Sequence, residues 1–257
     1  VAHIRTEIEV WGTILFVDAA SETDEDALQA GIDKVREFAV HVDDVFSTYK
    51  DDSVISQLRR NEISIESTSE EVKDVWARCA FARDITDGAF DPWAVVGGFD
   101  PSGLVKGWAA DKCAEIMFKA GAKHVQINAA GDLTLRGGHL GDEGIEPWSI
   151  GIVNPENRQK IVQVFNIMDG AIATSGTYER GAHILDPHTG LIAIGARSAT
   201  VIGPDGGLTD ALATALMVEG RDGAMWFSHP DLAEYSAWVV DRHEDVAWSV
   251  GPESLTL

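Results

Sequence analysis

Residues 206–216, Gly206-Gly207-Leu208-Thr209-Asp210-Ala211-Leu212-Ala213-Thr214-Ala215-Leu216, read as a glycine-rich turn running straight into an alanine-rich helix. The first turn of that helix carries a carboxylate, and a hydroxyl follows four residues later. Asp210 and Thr214 therefore share one helix face. Two hard oxygen donors at the N-terminal end of a helix suit a hard cation such as Mg²⁺. The same helix end attracts phosphate through its free N–H groups and the helix dipole. The stretch points to metal-assisted phosphate chemistry. A plainer reading makes Asp210 a capping acid and Thr214 a hydroxyl bonded back to its own helix.

Outward from this helix, the periodicity changes along the chain. Residues 5–18 alternate and are rich in Ile, Val and Phe, the pattern of a strand. Leu28, Ile32, Val35, Phe38, Val42 and Val45 recur at helical spacing over 26–46. Thr68-x-x-Glu71 predicts a capping box that opens a second helix, with Val72, Val75, Trp76 and Cys79 on one side. A third helix is expected from Val105 to Lys119, closed by Gly121. Short strands follow at 124–128, 132–136, 148–153, 161–167, 171–174 and 197–202. A last hairpin pairs 235–240 with 245–250. Gly137-Gly138-His139-Leu140-Gly141-Asp142 reads as a turn. Neither a GxGxxG nor a Walker A loop is present. Early helices and later strands of antiparallel type predict an α+β fold of mixed or antiparallel sheets flanked by helices, rather than a doubly wound α/β sheet.

The 257 residues suffice for one large domain or two intimately packed ones. With 45% hydrophobic residues the chain is globular. Its 42 acids against 20 bases give a formal charge of -22, which argues against non-specific nucleic-acid binding and against an anionic membrane surface. An anionic ligand would need a metal, a helix end or a placed lysine. No apolar run approaches the roughly 18 residues that span a bilayer. No signal peptide is visible, so the expected placement is cytoplasmic, with a trimmed export or lipoprotein leader left open. Cys79 and Cys113 lack metal-ligand spacing and read as two small buried hydrophobes, a single disulfide being the alternative.

Several further segments carry polar residues in suggestive order. They are Phe46-Ser47-Thr48-Tyr49 with Ser53 following, Gly88-Ala89-Phe90-Asp91-Pro92, Asp100-x-x-Gly103-x-x-Lys106-Gly107, Asn128-Ala129-Ala130-Gly131-Asp132, Thr174-Ser175-Gly176, and His183-Ile184-x-Asp186-Pro187-x-Thr189-Gly190. Taken singly each has a bland reading: a turn, a solvated lysine, a satisfied core histidine. Taken together with Asp210-Ala211-Leu212-Ala213-Thr214-Ala215, their order and spacing resemble the ApbE family of FAD:protein FMN transferases, over roughly residues 8 to 220.

The resemblance implies one ApbE-like domain over 1–257, either a single compact unit or two intertwined subdomains. It implies Mg²⁺-dependent transfer of FMN from FAD to a threonine hydroxyl of an acceptor flavoprotein, with release of AMP. Mn²⁺ could replace Mg²⁺. By resemblance the metal is held by Asp210, Thr214 and the Gly103 carbonyl. Lys106 and Asp100 would contact FAD, and Tyr49 offers a face for stacking. Ala89, Phe90 and Asp91 would line the nucleotide pocket, with Ile184 opposite and Thr174 and Ser175 at its floor. His183 is the candidate general base, since its near-neutral pKa fits that task.

Three positions depart from the family pattern. Trp11 stands where methionine is common, and could cover an adenine or flavin ring. Ala130 replaces a glycine, and His188 replaces an arginine whose loss would bear on acceptor docking. An FAD pyrophosphatase giving FMN and AMP would use the same site with water as acceptor. A non-catalytic FAD-binding protein would hold the flavin without turnover, and a purely structural domain would bind no flavin.

Overall fold

The computed structural model describes residues 1–22, 24–177, 184–242 and 246–252. The stretch expected as one strand over 5–18 is instead a hairpin, β1 (Ala2–Val10) and β2 (Thr13–Ser21). Its two loop residues, Trp11 and Gly12, have φ of 57° and 67°. That is the loop geometry whose twist matches the flanking strands. The sequence hid the break because tryptophan seldom adopts positive φ.

Helix α1 (Glu25–Phe46) is capped by Asp24, whose carboxylate accepts from the Asp26 N–H at 3.0 Å. Its buried Leu28, Ile32, Val35, Ala39, Val42 and Phe46 fall on one face. Helix α2 (Val54–Arg59) is capped by the Ser53 hydroxyl. Helix α3 (Glu70–Ile85) starts after Ser69, and the expected box between Thr68 and Glu71 does not cap it. The Thr68 hydroxyl donates to the Ile65 carbonyl at 2.7 Å instead, bonding back to the short helical turn before it. Helix α4 (Ser102–Lys119) begins at Ser102 rather than Val105, because the Asp100 carboxylate accepts the Ser102 N–H.

Two strands, β3 (His124–Ala129) and β4 (Asp132–Arg136), turn at Ala130-Gly131. The segment expected to be only a turn at 137–142 enters a second small hairpin, β5 (His139–Gly141) and β6 (Gly144–Glu146). Strands β7 (Trp148–Val153) and β8 (Ile161–Ile167) pair with each other. The chain then returns through β9 (Gly170–Gly176), β10 (Ala196–Gly203), α5 (Gly206–Glu219), β11 (Ser236–Asp241) and β12 (Ala247–Val250).

Eight strands form one sheet in the order β1-β2-β3-β4-β9-β10-β11-β12, each neighbour antiparallel. Alternation along the strands separates two faces. Ala173, Ala199 and Val201 share a core with α3, α5 and the first half of α4. On the opposite face Leu135, Ile172 and Ile202 pack under Trp148, Phe165 and Ile167 of the β7–β8 hairpin. The second half of α4 packs with α1 and β1–β3 around Val17, Ile32, Met117 and Ile127. Cys79 and Cys113 are both free and buried, one in each helix-side core.

Helices α4 and α5 touch backbone to backbone. A methyl on Gly107 would stand 2.0 Å from the Gly206 carbonyl oxygen. Only glycine permits that approach, and it sets the first turns of α4 beside the first turns of α5. Among the described residues no helix is long and apolar enough to cross a membrane.

Candidate active site

The start of α4, the start of β4, the end of β9 and the first half of α5 converge at one end of the sheet. The sequence places Asp210 in the first turn of its helix. The helix instead begins at Gly206, where Asp205 caps it by accepting the Leu208 N–H at 2.9 Å. Asp210 thus sits deeper, with only 3% of its surface exposed. Burial pushes its carboxyl up to about 7, and the neighbouring Asp132 carboxylate adds to the rise. The Lys106 ammonium and the Gly107 amide oppose it.

Lys106 lies between two acids. Its ammonium hydrogen-bonds to the Asp132 carboxylate and stands 3.5 Å from Asp210 Oδ2. Both carboxylates are almost wholly buried, at 5% and 4% side-chain exposure. At 3.5 Å the ammonium attracts Asp210 Oδ2 without forming a hydrogen bond, and that oxygen has no hydrogen-bond partner among the described residues. A buried, unsatisfied carboxylate oxygen costs stability unless something else satisfies it.

One turn along α5, Thr214 places its hydroxyl oxygen 3.3 Å from Ser175 Oγ at the end of β9. Gly103 lies alongside. A methyl there would come within 3.6 Å of Thr214 Oγ1 and 3.1 Å of the Phe90 ring. The three expected metal-binding positions are therefore linked through neighbours: Gly103 to Thr214 across open contact distance, and Thr214 to Asp210 along one helix face. One carboxylate, one hydroxyl and peptide backbone form an all-oxygen donor set, which fits a hard divalent cation. Among the described residues no group of three or more His, Cys, Asp or Glu side chains competes for a softer metal.

The other expected residues divide. Ala89 and Phe90 are buried against this end of the core. Asp91 is committed to its own loop: one oxygen accepts the Trp93 N–H at 2.9 Å and the other lies 3.1 Å from Arg83 Nε. Asp100 accepts the Ser102 N–H at 3.0 Å at the start of α4. The Thr174 hydroxyl lies 2.9 Å from that of Thr200 in a cross-strand pair. Trp11 donates its indole N–H to the Ala39 carbonyl at 2.9 Å and packs against both helix-side cores. Tyr49 is 93% exposed. Ile184 packs against the larger core, and its carbonyl accepts the Ala193 N–H. His188 lies against Gly88, its Cε1 3.3 Å from where a methyl would stand. His183 lies outside the described residues.

Two further acids belong to the site, and their sequence signal is faint. Asp132 ends a recognised motif that gives it no role, and its partner Lys106 lies 26 positions away. Asp111 on α4 accepts the Gly206 N–H and the Thr134 hydroxyl, each at 2.7 Å, and so joins α4, α5 and β4. Burial pushes the Asp111 carboxyl above its ordinary range. Its signal is an acid beside the apolar Ala109, Ala110 and Cys113.

Known proteins share this arrangement of elements. Residues 97–237 match the ApbE family. A Vibrio cholerae protein named FAD:protein FMN transferase is 27% identical over 270 residues, covering 82% of this chain and 79% of its own length. An Escherichia coli K12 protein of the same name is 36% identical over 135 residues, 49% of this chain and 38% of that one. The crystal structure of the ApbE protein from Thermotoga maritima superposes with a TM-score of 0.83 at 22% identity, over 96% of this chain and 97% of that one. Flavin transferase ApbE from Vibrio cholerae gives 0.81 at 24% identity, over 98% and 97%. These two structures establish the fold.

Proposed function

Since the chain belongs to the ApbE family, we propose that it transfers FMN from FAD to an acceptor protein, the activity named for its curated relatives. The acceptor is a threonine hydroxyl of a flavoprotein. Its oxygen forms a bond to the FMN phosphorus as the bond to the bridging oxygen breaks. AMP leaves with that oxygen, and the threonine proton passes to a base, for which His183 is the candidate. A bound Mg²⁺ would supply charge neutralisation on the diphosphate, which phosphoryl transfer chiefly needs.

Each residue then has a task. Asp210, Thr214 and the Gly103 carbonyl hold the cation. Lys106 places positive charge beside the diphosphate in a chain of formal charge -22. Ala89, Phe90 and Ile184 give the nucleotide an apolar wall, and the exposed Tyr49 is available to stack. Asp91 and Asp100 fix the loops on which that wall stands, and Thr174 and Ser175 form the floor.

The observation that carries this reading is the buried Asp210 Oδ2, which lacks a hydrogen-bond partner among the described residues and faces a lysine at 3.5 Å. The test mixes the protein with FAD, Mg²⁺ and a threonine-bearing flavoprotein domain. A mass increase of one FMN on the acceptor threonine is expected, with loss of activity by about a hundredfold or more in Asp210→Asn. Rapid release of free FMN and AMP, with or without acceptor and with no labelled threonine, would make the protein a hydrolase instead.

A further inference from the structure

We infer that Asp132 is a positioning residue whose carboxylate tethers the Lys106 ammonium and so keeps it from closing onto Asp210, leaving the Asp210 carboxylate open to a divalent cation. The inference rests on the proposed metal site and concerns a residue outside the proposed ligand set. Three facts place it. Lys106 hydrogen-bonds to Asp132, yet its ammonium stops 3.5 Å short of Asp210 Oδ2. That Asp210 oxygen is buried and unsatisfied among the described residues, so it attracts any cation within reach. Lysine is a compact point charge on a flexible stem, able to swing between two nearby acids.

The fold fixes Asp132 for this task. It opens β4 directly after the Ala130-Gly131 turn, on the same strand face as Thr134, which bonds to Asp111 of α4. Asp132 is 4% exposed, so its carboxylate is held by the sheet rather than by solvent. Asp210 is held by α5. Of the three side chains, only the lysine is long and flexible enough to shift its charge. With the lysine drawn to Asp132, a divalent cation can join Asp210 without expelling it. If the Asp132 charge is removed, the ammonium loses that bond with Asp210 Oδ2 already 3.5 Å away. It closes to hydrogen-bond distance, about 2.8 Å for a charge-assisted pair, and the metal must then displace it.

The experiment titrates Mn²⁺ into the flavin-free protein and counts bound ion by the loss of the free-ion EPR signal. Asp132→Asn should weaken Mn²⁺ binding by about tenfold or more, near 1.4 kcal/mol. The double variant Asp132→Asn with Lys106→Met should restore affinity to within about threefold of wild type, because the competing ammonium is gone. A metal-free crystal structure of Asp132→Asn should show Lys106 Nζ bonded to Asp210. Unchanged affinity in Asp132→Asn overturns the tether. A double variant as weak as the single also overturns it, and makes Asp132 a metal ligand in its own right. Should Asp132→Asn not fold, Asp132→Ser takes its place, alone and with Lys106→Met, and is read by the same two outcomes. Asp210→Asn tests the metal site separately. Undiminished binding in that variant would overturn the proposed site itself, whereas loss of binding there with no effect at Asp132 would overturn the tether alone.

Discussion

Gly107 and Gly206 meet with no side chain between them, and the contact is reciprocal: a methyl on Gly206 would lie 2.6 Å from the Gly107 carbonyl oxygen. The two helices that carry Lys106 and Asp210 are registered against each other at this point. Backbone atoms are the obstacle, so no rotamer change relieves a larger residue. Gly107→Ala should therefore destabilise the fold by about 1–3 kcal/mol, read from the urea midpoint, and should lower flavin transfer further than the stability loss explains.

Asp210 makes stability depend on pH in a direction opposite to an ordinary surface acid. Its carboxyl titrates near 7 in the folded protein without metal, against 3.8 for the ordinary group. Between those values the folded state holds a proton that the unfolded state has released, so stability falls as pH rises through that window. The groups facing it are Asp132, Lys106, the Gly107 amide and the Cys79 thiol. In EDTA the urea midpoint of the wild type should drop between pH 5 and pH 7.5 more than that of Asp210→Asn. Equal pH dependence in the two proteins would refute the assignment.

Ala130 adopts φ of 58° ahead of Gly131 at 102°. A β-carbon in that region costs about 1–2 kcal/mol, of which the greater freedom of unfolded glycine offsets part. Ala130→Gly should raise stability by about 1 kcal/mol and the melting temperature by a few degrees. Calorimetry checks it. No gain would mean that the turn has relaxed its strain elsewhere.

The two thiols should be silent. Burial pushes both above their ordinary range, and neither is accessible. Native protein at pH 8 should resist iodoacetamide and take up two labels only after denaturation. Labelling of either thiol in the native state would show that the cores open locally.

Much of this architecture can be read from local pattern. The apolar spacing of Leu28, Ile32, Val35 and Val42 defines α1, and the strands from His124 to Gly203 largely follow their β-branched runs. Turn chemistry is harder to read. Trp11 and Ala130 occupy positions that normally go to glycine or asparagine, so the pattern offers no break at 11 and no strain at 130. The Thr68 box fails because its hydroxyl finds a nearer acceptor. At the site, Asp210, Thr214, Gly103 and Lys106 are recognisable as motif residues, but the depth of Asp210 is not. It depends on where Asp205 starts the helix and on the glycine contact with α4. The pairing of Lys106 with Asp132 joins segments whose adjacency only the assembled sheet creates.

The sheet order has a consequence for how the protein is made. Strand β2 ends at Ser21, and the strand that covers its free edge, β3, begins at His124. A ribosome working at about 5–20 residues per second therefore releases the β1–β2 ribbon several seconds before its partner exists. Through that interval β2 presents unsatisfied peptide groups and Leu15, Val17 and Ala19 to the surroundings. Of the helices that emerge before β3, α1 comes first and α4 last, and both pack in the core that holds these three residues. The nascent chain is most open to mispairing before Asp132, Ser175, Asp210 and Thr214 have been synthesised.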